Sequence, residues 1–226
     1  MRETSVAAQI KHPGVVRYLG WGESPHGGPY LVSEYIDGRP LTDFAAVAAS
    51  EFISILVSLC KTLAFVHSAG VVHGDLSPAN IMMRHGGNPV LTDFGFAVSR
   101  RSNEPELKQA DVPQRDTDGP QALGGTLGFA APEQVASSLG NVGCATDIYA
   151  VGALAYWYLA GRPPHAVGNI MESLADTVAE QDVPLDKLVL SNRLDRKLAE
   201  VASAALKKVV NDRPDKVERL LAVLQS

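Results

Sequence analysis

The chain has little cysteine, few aromatic residues and no surplus of positive charge. Its two cysteines, Cys60 and Cys144, are isolated, with neither the paired spacing of a zinc or redox site nor the density of a disulfide scaffold. Cys60 lies inside an apolar helical run, where a thiol behaves as a small buried hydrophobe. The six histidines have no metal-ligand spacing, so no zinc site is expected. A formal net charge of −5 gives no basic footprint, which argues against nucleic acid or an anionic membrane surface as partner. Met1-Arg2-Glu3-Thr4-Ser5 lacks the apolar stretch of a secretory leader, and the longest apolar runs read as too short and too interrupted to cross a bilayer. The expectation is a soluble chain without a membrane segment, in a reducing cytoplasm. What is present is 46% apolar and 20% charged residues over 226 positions, enough for one sizeable core.

Residues 2–10 read as a short helix, and Val15 to Trp21 and Tyr30 to Glu34 as strands around the Gly- and Pro-rich turn from Glu23 to Pro29. From Ser50 to Ser68 apolar residues recur at Phe52, Ile53, Leu56, Leu59, Cys60, Leu63 and Phe65 with few charges, the pattern of a largely buried helix ended by Gly70. Asn80 to Met83 and Pro89 to Thr92 read as short strands around the turn Arg84 to Asn88, which sets Asp93 at a strand end close to Asn80. Residues 96–124 are polar, carry Pro105, Pro113, Gly119 and Pro120, and read as a long loop. Helices are predicted at about 145–160, at 169–180, from Asn192 to Lys208 and from Pro214 to Leu224. Leu194, Leu198, Val201, Ala202 and Ala205 share one face of the third, and Val217, Leu220, Leu221 and Leu224 one face of the fourth, with Pro214 suited to its first turn.

Two motifs dominate: His73-Gly74-Asp75-Leu76-Ser77-Pro78-Ala79-Asn80, and Asp93-Phe94-Gly95. Alone, each would read as a capped turn. In order come Asp75, four residues, Asn80, the Asp-Phe-Gly run, Ala131-Pro132-Glu133, Asp147 and Arg213. That constellation resembles the catalytic domain of eukaryotic-like (Hanks-type) protein Ser/Thr kinases. Lys11 to Tyr18, Leu31 to Gly38 and Asp147 to Gly152 extend the resemblance over nearly the whole chain.

The resemblance implies an α+β, protein-kinase-like fold: a truncated N-lobe and hinge over 1–37, holding a helix C remnant and two strands, then a mostly helical C-lobe over 38–226 with its activation loop at 96–130. It implies ATP and Mg²⁺, a protein substrate, Asp75 as acceptor of the hydroxyl proton, and Asn80 and Asp93 as metal ligands. Glu3 would hold the helix C Glu position, Ser33 would sit behind the adenine pocket, Glu34 and Ile36 would offer hinge backbone groups, and Met82 would form the pocket floor. Glu133 would pair with Arg213, Asp147 would bond the backbone near His73, and His73 and Phe94 would stack in an apolar spine.

Departures from the family pattern are part of the reading. Gly74 stands where an Arg is usual, Ser77 where Ser/Thr kinases carry a Lys that steadies the transferred phosphate, and Ala79 where many Tyr kinases carry an Arg. No Gly-rich loop or strand-three Lys is recognisable, so the chain reads as a kinase domain lacking its first three strands, with a loose N-terminal segment. Ser99, Ser102, Thr117 and Thr126 are possible phosphate acceptors by position, and Thr126 before Ala-Pro-Glu points to Ser/Thr substrates. Two alternatives stay open: an inactive pseudokinase or docking module, and a small-molecule phosphotransferase of the aminoglycoside or choline kinase type.

Overall fold

The structure, a computed structural model, describes residues 10–24, 28–94, 98–99, 127–165, 167–179 and 181–226. The helix expected at 2–10 and nearly all of the loop expected at 96–124 lie outside them. The first strands among the described residues are β1 (Tyr18–Glu23) and β2 (Pro29–Ser33), an antiparallel hairpin with an irregular register between Tyr18 and Gly20. The strand expected from Val15 is split in two. Val16 N–H donates to the Leu91 carbonyl and Leu91 N–H to the Gly14 carbonyl, at 2.9 and 2.8 Å, so residues 14–16 run beside a different sheet before β1 starts.

That sheet comprises β3 (Gly38–Pro40), β5 (Ile81–Arg84) and β6 (Pro89–Leu91), with β5 central and both pairings antiparallel. Between β3 and β5 run helix α1 (Ala49–Ser68) and the short β4 (Val71–Val72), which pairs with β7 (Val98–Ser99). A Cβ on Gly38 would run into the Met83 carbonyl, so only glycine lets β3 cross β5 this closely.

The apolar residues of α1 form its core-facing stripe: Phe52, Ile55, Leu56, Leu59, Cys60, Leu63 and Val66 are all buried. Gly70, at φ +77°, turns the chain out of the helix toward β4. Contrary to the sequence expectation, α1 is long and apolar enough by length and composition to cross a bilayer. The reason is that it is the central core helix, apolar on most sides because it packs against several others.

Those neighbours are α3 (Cys144–Ala160), α5 (Arg193–Ala205) and α6 (Val217–Gln225), with α2 (Pro132–Val135) and α4 (Ile170–Val178) on the flank. Every residue of α3 from Thr146 to Tyr156 is buried. Its Gly152 faces Ala205, and a Cβ there would come within 2.6 Å of the alanine methyl, which is why α3 and α5 cross so tightly. Asn192 caps α5 through the N–H groups of Leu194 and Asp195 at 2.7 and 2.9 Å, and Asp195 Oδ2 returns to the Asn192 N–H at 3.2 Å, a reciprocal capping box. The last helix starts later than expected, at Val217 rather than Pro214. Arg213, extended at ψ 159°, is held in a buried ion pair, and a residue before proline disfavours helical geometry.

Candidate active site

The loop between β4 and β5 carries His73, Asp75, Ser77 and Asn80, and the end of β6 carries Asp93. Asn80 holds the loop shut: its Nδ2 donates to both the carbonyl and the carboxylate Oδ2 of Asp75, at 2.8 and 2.9 Å. Thr92 then ties the two segments together, its N–H and its hydroxyl both donating to the Asn80 carbonyl at 3.0 Å. Asp75 and Asn80 are thereby bonded to each other, and Asp93 follows directly on the Thr92 that binds Asn80. With Nδ2 committed to Asp75, the Asn80 amide oxygen is a hard oxygen of the kind that could hold Mg²⁺, as is the Asp93 carboxylate. Asp93 sits at φ +57°, the only positive φ outside glycine among the described residues.

His73 is fully buried and locked in one tautomer. Its Nδ1 accepts from the Asp75 N–H at 3.2 Å, so the proton must be on Nε2, which donates to the Thr92 carbonyl at 2.9 Å. Burial pushes its pKa down, consistent with a neutral ring. Its ring lies 4.4 Å from that of Phe94, the contact expected from the sequence, but the planes are tilted by 52° rather than stacked. The Phe94 N–H donates to the Tyr18 hydroxyl at 3.2 Å, so β1 reaches the segment that follows Asp93.

Asp147, on α3, fastens the loop from below. Its Oδ2 accepts from the His73 N–H at 2.9 Å and its Oδ1 from the Gly74 N–H at 2.8 Å. The same Oδ2 accepts from His67 Nε2 at 2.7 Å. Burial lowers the His67 pKa, but its hydrogen bonds to Asp147 and Cys144 and the nearby negative charge outweigh this and push it up to about 9. A buried imidazolium and a buried carboxylate thus balance under the loop.

Behind the loop, Glu133 and Arg213 form the expected pair, bidentate at 2.7 and 2.8 Å with both side chains fully enclosed. Thr146 donates to the same carboxylate at 2.8 Å, and the guanidinium lies 4.7 Å above the Tyr149 ring.

At the candidate hinge, Ile36 is buried with Val16 and Val90 and packs against Met82 and Tyr18, a small cluster separate from the main core. Glu34 faces the other way: its carboxylate accepts from the Arg17 N–H and from Arg84 at 3.0 and 2.9 Å, and its own N–H donates to the Arg17 carbonyl. That N–H is therefore already used, and the Arg17 N–H contact heads the influences holding the Glu34 carboxyl below its usual range. Ser33 ends β2 in an exposed position. Ser77 is buried, and its hydroxyl is the only buried side-chain polar atom without a hydrogen-bond partner among the described residues, a desolvation cost of about 1 to 3 kcal/mol. Glu3, Gly95, Ser102, Thr117 and Thr126 lie outside the described residues.

Sequence reasoning missed His67, Tyr18, Thr92 and Gln134. The only available signal was position: His67 ends the helix that precedes the loop, and Gln134 follows Ala-Pro-Glu.

A model of the protein kinase domain matches residues 1–222. The serine/threonine-protein kinase PknB of Mycolicibacterium smegmatis is 31% identical over 190 residues, which is 81% of this chain and 28% of that protein. PknB of Mycobacterium tuberculosis is 30% identical over the same shares. The DNA damage-responsive serine/threonine-protein kinase RqkA of Deinococcus radiodurans is 31% identical over 191 residues, 81% of this chain and 26% of that protein. The chain spans roughly a quarter of the length of these relatives. With the loop from His73 to Asn80 fastened by Asp147, and the His73–Phe94 ring contact and the Glu133–Arg213 pair in place, the chain belongs to the protein kinase family.

Proposed function

We propose that this chain transfers the γ-phosphate of ATP to a serine or threonine hydroxyl of a protein, with Asp75 accepting the hydroxyl proton. The acceptor oxygen forms the new bond to phosphorus as the bond to the β-phosphate oxygen of ADP breaks. The observation that carries this reading is Asn80, whose side chain clamps the Asp75 carboxylate while its backbone carbonyl accepts from Thr92, the residue before Asp93. Mg²⁺ bound by Asn80 and Asp93 would neutralise phosphate charge. The Ile36 and Met82 cluster supports an apolar seat for the adenine ring, with backbone groups of Glu34 and Ile36 beside it and the Ser77 hydroxyl on the phosphate side. The serine/threonine kinase names of the relatives support the substrate class.

A second reading, a docking module without chemistry, is favoured by one observation: Ser77 offers a neutral hydroxyl where a cation would steady the phosphates. Calorimetry with Mg²⁺-ATP on the chain, Asp93→Asn and Asp75→Asn, together with γ-phosphate transfer to a serine-rich protein acceptor such as dephosphorylated casein, separates the two. The kinase reading expects binding that Asp93→Asn weakens at least tenfold, and turnover that Asp75→Asn lowers by roughly 10²- to 10⁴-fold with binding retained. Binding without turnover would favour the docking module, and no binding would overturn the kinase reading.

A further inference from the structure

The peptide unit that joins Gly74 to Asp75 is held at both of its polar ends. Its carbonyl accepts from Gln134 Nε2 at 2.6 Å, and its N–H donates to His73 Nδ1 at 3.2 Å. The preceding unit is fixed separately, by Asp147 Oδ1 on the Gly74 N–H at 2.8 Å. Gly74 adopts φ +76°, and with no Cβ there sterics do little to stop the next peptide plane from rotating. Hydrogen bonds must therefore decide which way that plane faces, and the plane sets the direction in which the Asp75 side chain leaves the backbone.

Of the two bonds, the one from Gln134 is the shorter, and it comes from another part of the fold. Gln134 lies on α2, and its Oε1 accepts from the Ala131 N–H at 2.9 Å. One side chain thus bridges the segment before α2 and the residue preceding the proposed proton acceptor. We infer that Gln134 is a positioning residue: it orients Asp75 by fixing the Gly74–Asp75 peptide, and it couples the 127–131 segment to that orientation. The functional consequence rests on the phosphotransfer reading, but the clamp itself does not.

Two variants separate the clamp from the cap. Gln134→Met keeps the length of the side chain and removes both hydrogen bonds, whereas Gln134→Glu keeps the acceptor for Ala131 and loses the donor to Gly74. Amide hydrogen exchange is read at His73, Gly74 and Asp75 in the full chain, alongside transfer of the γ-phosphate of Mg²⁺-ATP to the same protein acceptor. In both variants the Asp75 amide is expected to exchange about tenfold faster, as local opening becomes easier, while the His73 and Gly74 amides, held by Asp147, and the amides of α3 and α5 keep their wild-type rates. Phosphate transfer is expected to fall about tenfold at saturating ATP with the KM for ATP within about twofold, as for an interaction that matters in the transition state. Wild-type exchange at Asp75 in Gln134→Glu would overturn the proposal and leave Gln134 as a helix cap. Equal acceleration across α3 and α5 would also overturn it, as general loosening. If the wild-type chain transfers no phosphate, the exchange data still decide the clamp, and it is the phosphotransfer reading that falls.

Discussion

Two regions of the molecule solve the burial problem in opposite ways. In the helical body, charged groups go inside and each of the central ones meets a partner: Asp147 takes three hydrogen bonds, and Glu133 and Arg213 close on each other with neither side chain exposed. In the β1–β2 hairpin, apolar groups stay outside: Trp21 is 67% exposed, Leu19 55% and Tyr30 51%. The body spends its polar groups on fixing one geometry, and breaking any pair there leaves a charge stranded in the interior. The hairpin holds its shape by backbone pairing, and its large side chains contribute little to the fold described here. The body thus closes its central charges on one another, while the hairpin leaves Trp21, Leu19 and Tyr30 exposed.

The largest test of this contrast is Glu133→Ala. It would leave the Arg213 guanidinium buried above the Tyr149 ring, and the expected loss is about 3 to 5 kcal/mol by urea denaturation. A loss below about 1 kcal/mol would mean that the pair behaves like a surface bridge.

Next in size is the pH dependence, which also belongs to the body. The His67 pKa is raised from 6.5 to about 9, so its contribution is complete below pH 6.5 and drains away as pH rises through 9, about 3 kcal/mol in all. His165 runs the other way. It is buried against Tyr149, whose hydroxyl donates to its Nε2 at 2.6 Å, and burial pushes its pKa from 6.5 down to about 4. Its contribution is present above 6.5 and lost as pH falls toward 4. Stability measured against pH should therefore decline on both sides, with His67→Gln flattening the alkaline limb and His165→Gln the acid limb. An unchanged alkaline limb in His67→Gln would remove the imidazolium from under the loop.

The smallest effect is expected in the hairpin. Trp21→Ser should change stability by no more than about 0.5 kcal/mol, and amides of 18–33 should exchange faster than those of 52–66. A loss above about 2 kcal/mol would place Trp21 in a packed environment and erase the contrast.

The two regions also differ in how far the sequence revealed them. Phe52, Leu56, Leu59 and Leu63 recur at helical spacing because one helix face meets a continuous core, so α1 could be placed within a residue or two of its ends. Asp75, Asn80 and Asp93 stood out in the sequence because the chemistry proposed for them demands fixed residue types at fixed spacing. The displaced start of β1 was not legible, because Gly14 and Val16 choose a partner, Leu91, that lies some seventy-five residues away in the chain. Nor was the start of the last helix: Pro214 suits a first turn, but the pull of Glu133 on Arg213 wins over local preference. Gln134 and His67 escaped because a single polar residue reaching a backbone carbonyl or a distant carboxylate leaves no periodic trace.

The left-handed backbone at Asp93 bears on how any loss-of-function experiment should be designed. Asp and Asn tolerate φ near +57° far better than alanine or a branched residue does. An alanine there would remove a carboxylate and also penalise the turn that carries it, so a lost activity could not be assigned to either. Asparagine changes the charge while sparing the turn, which makes it the informative substitution at this position and alanine the ambiguous one.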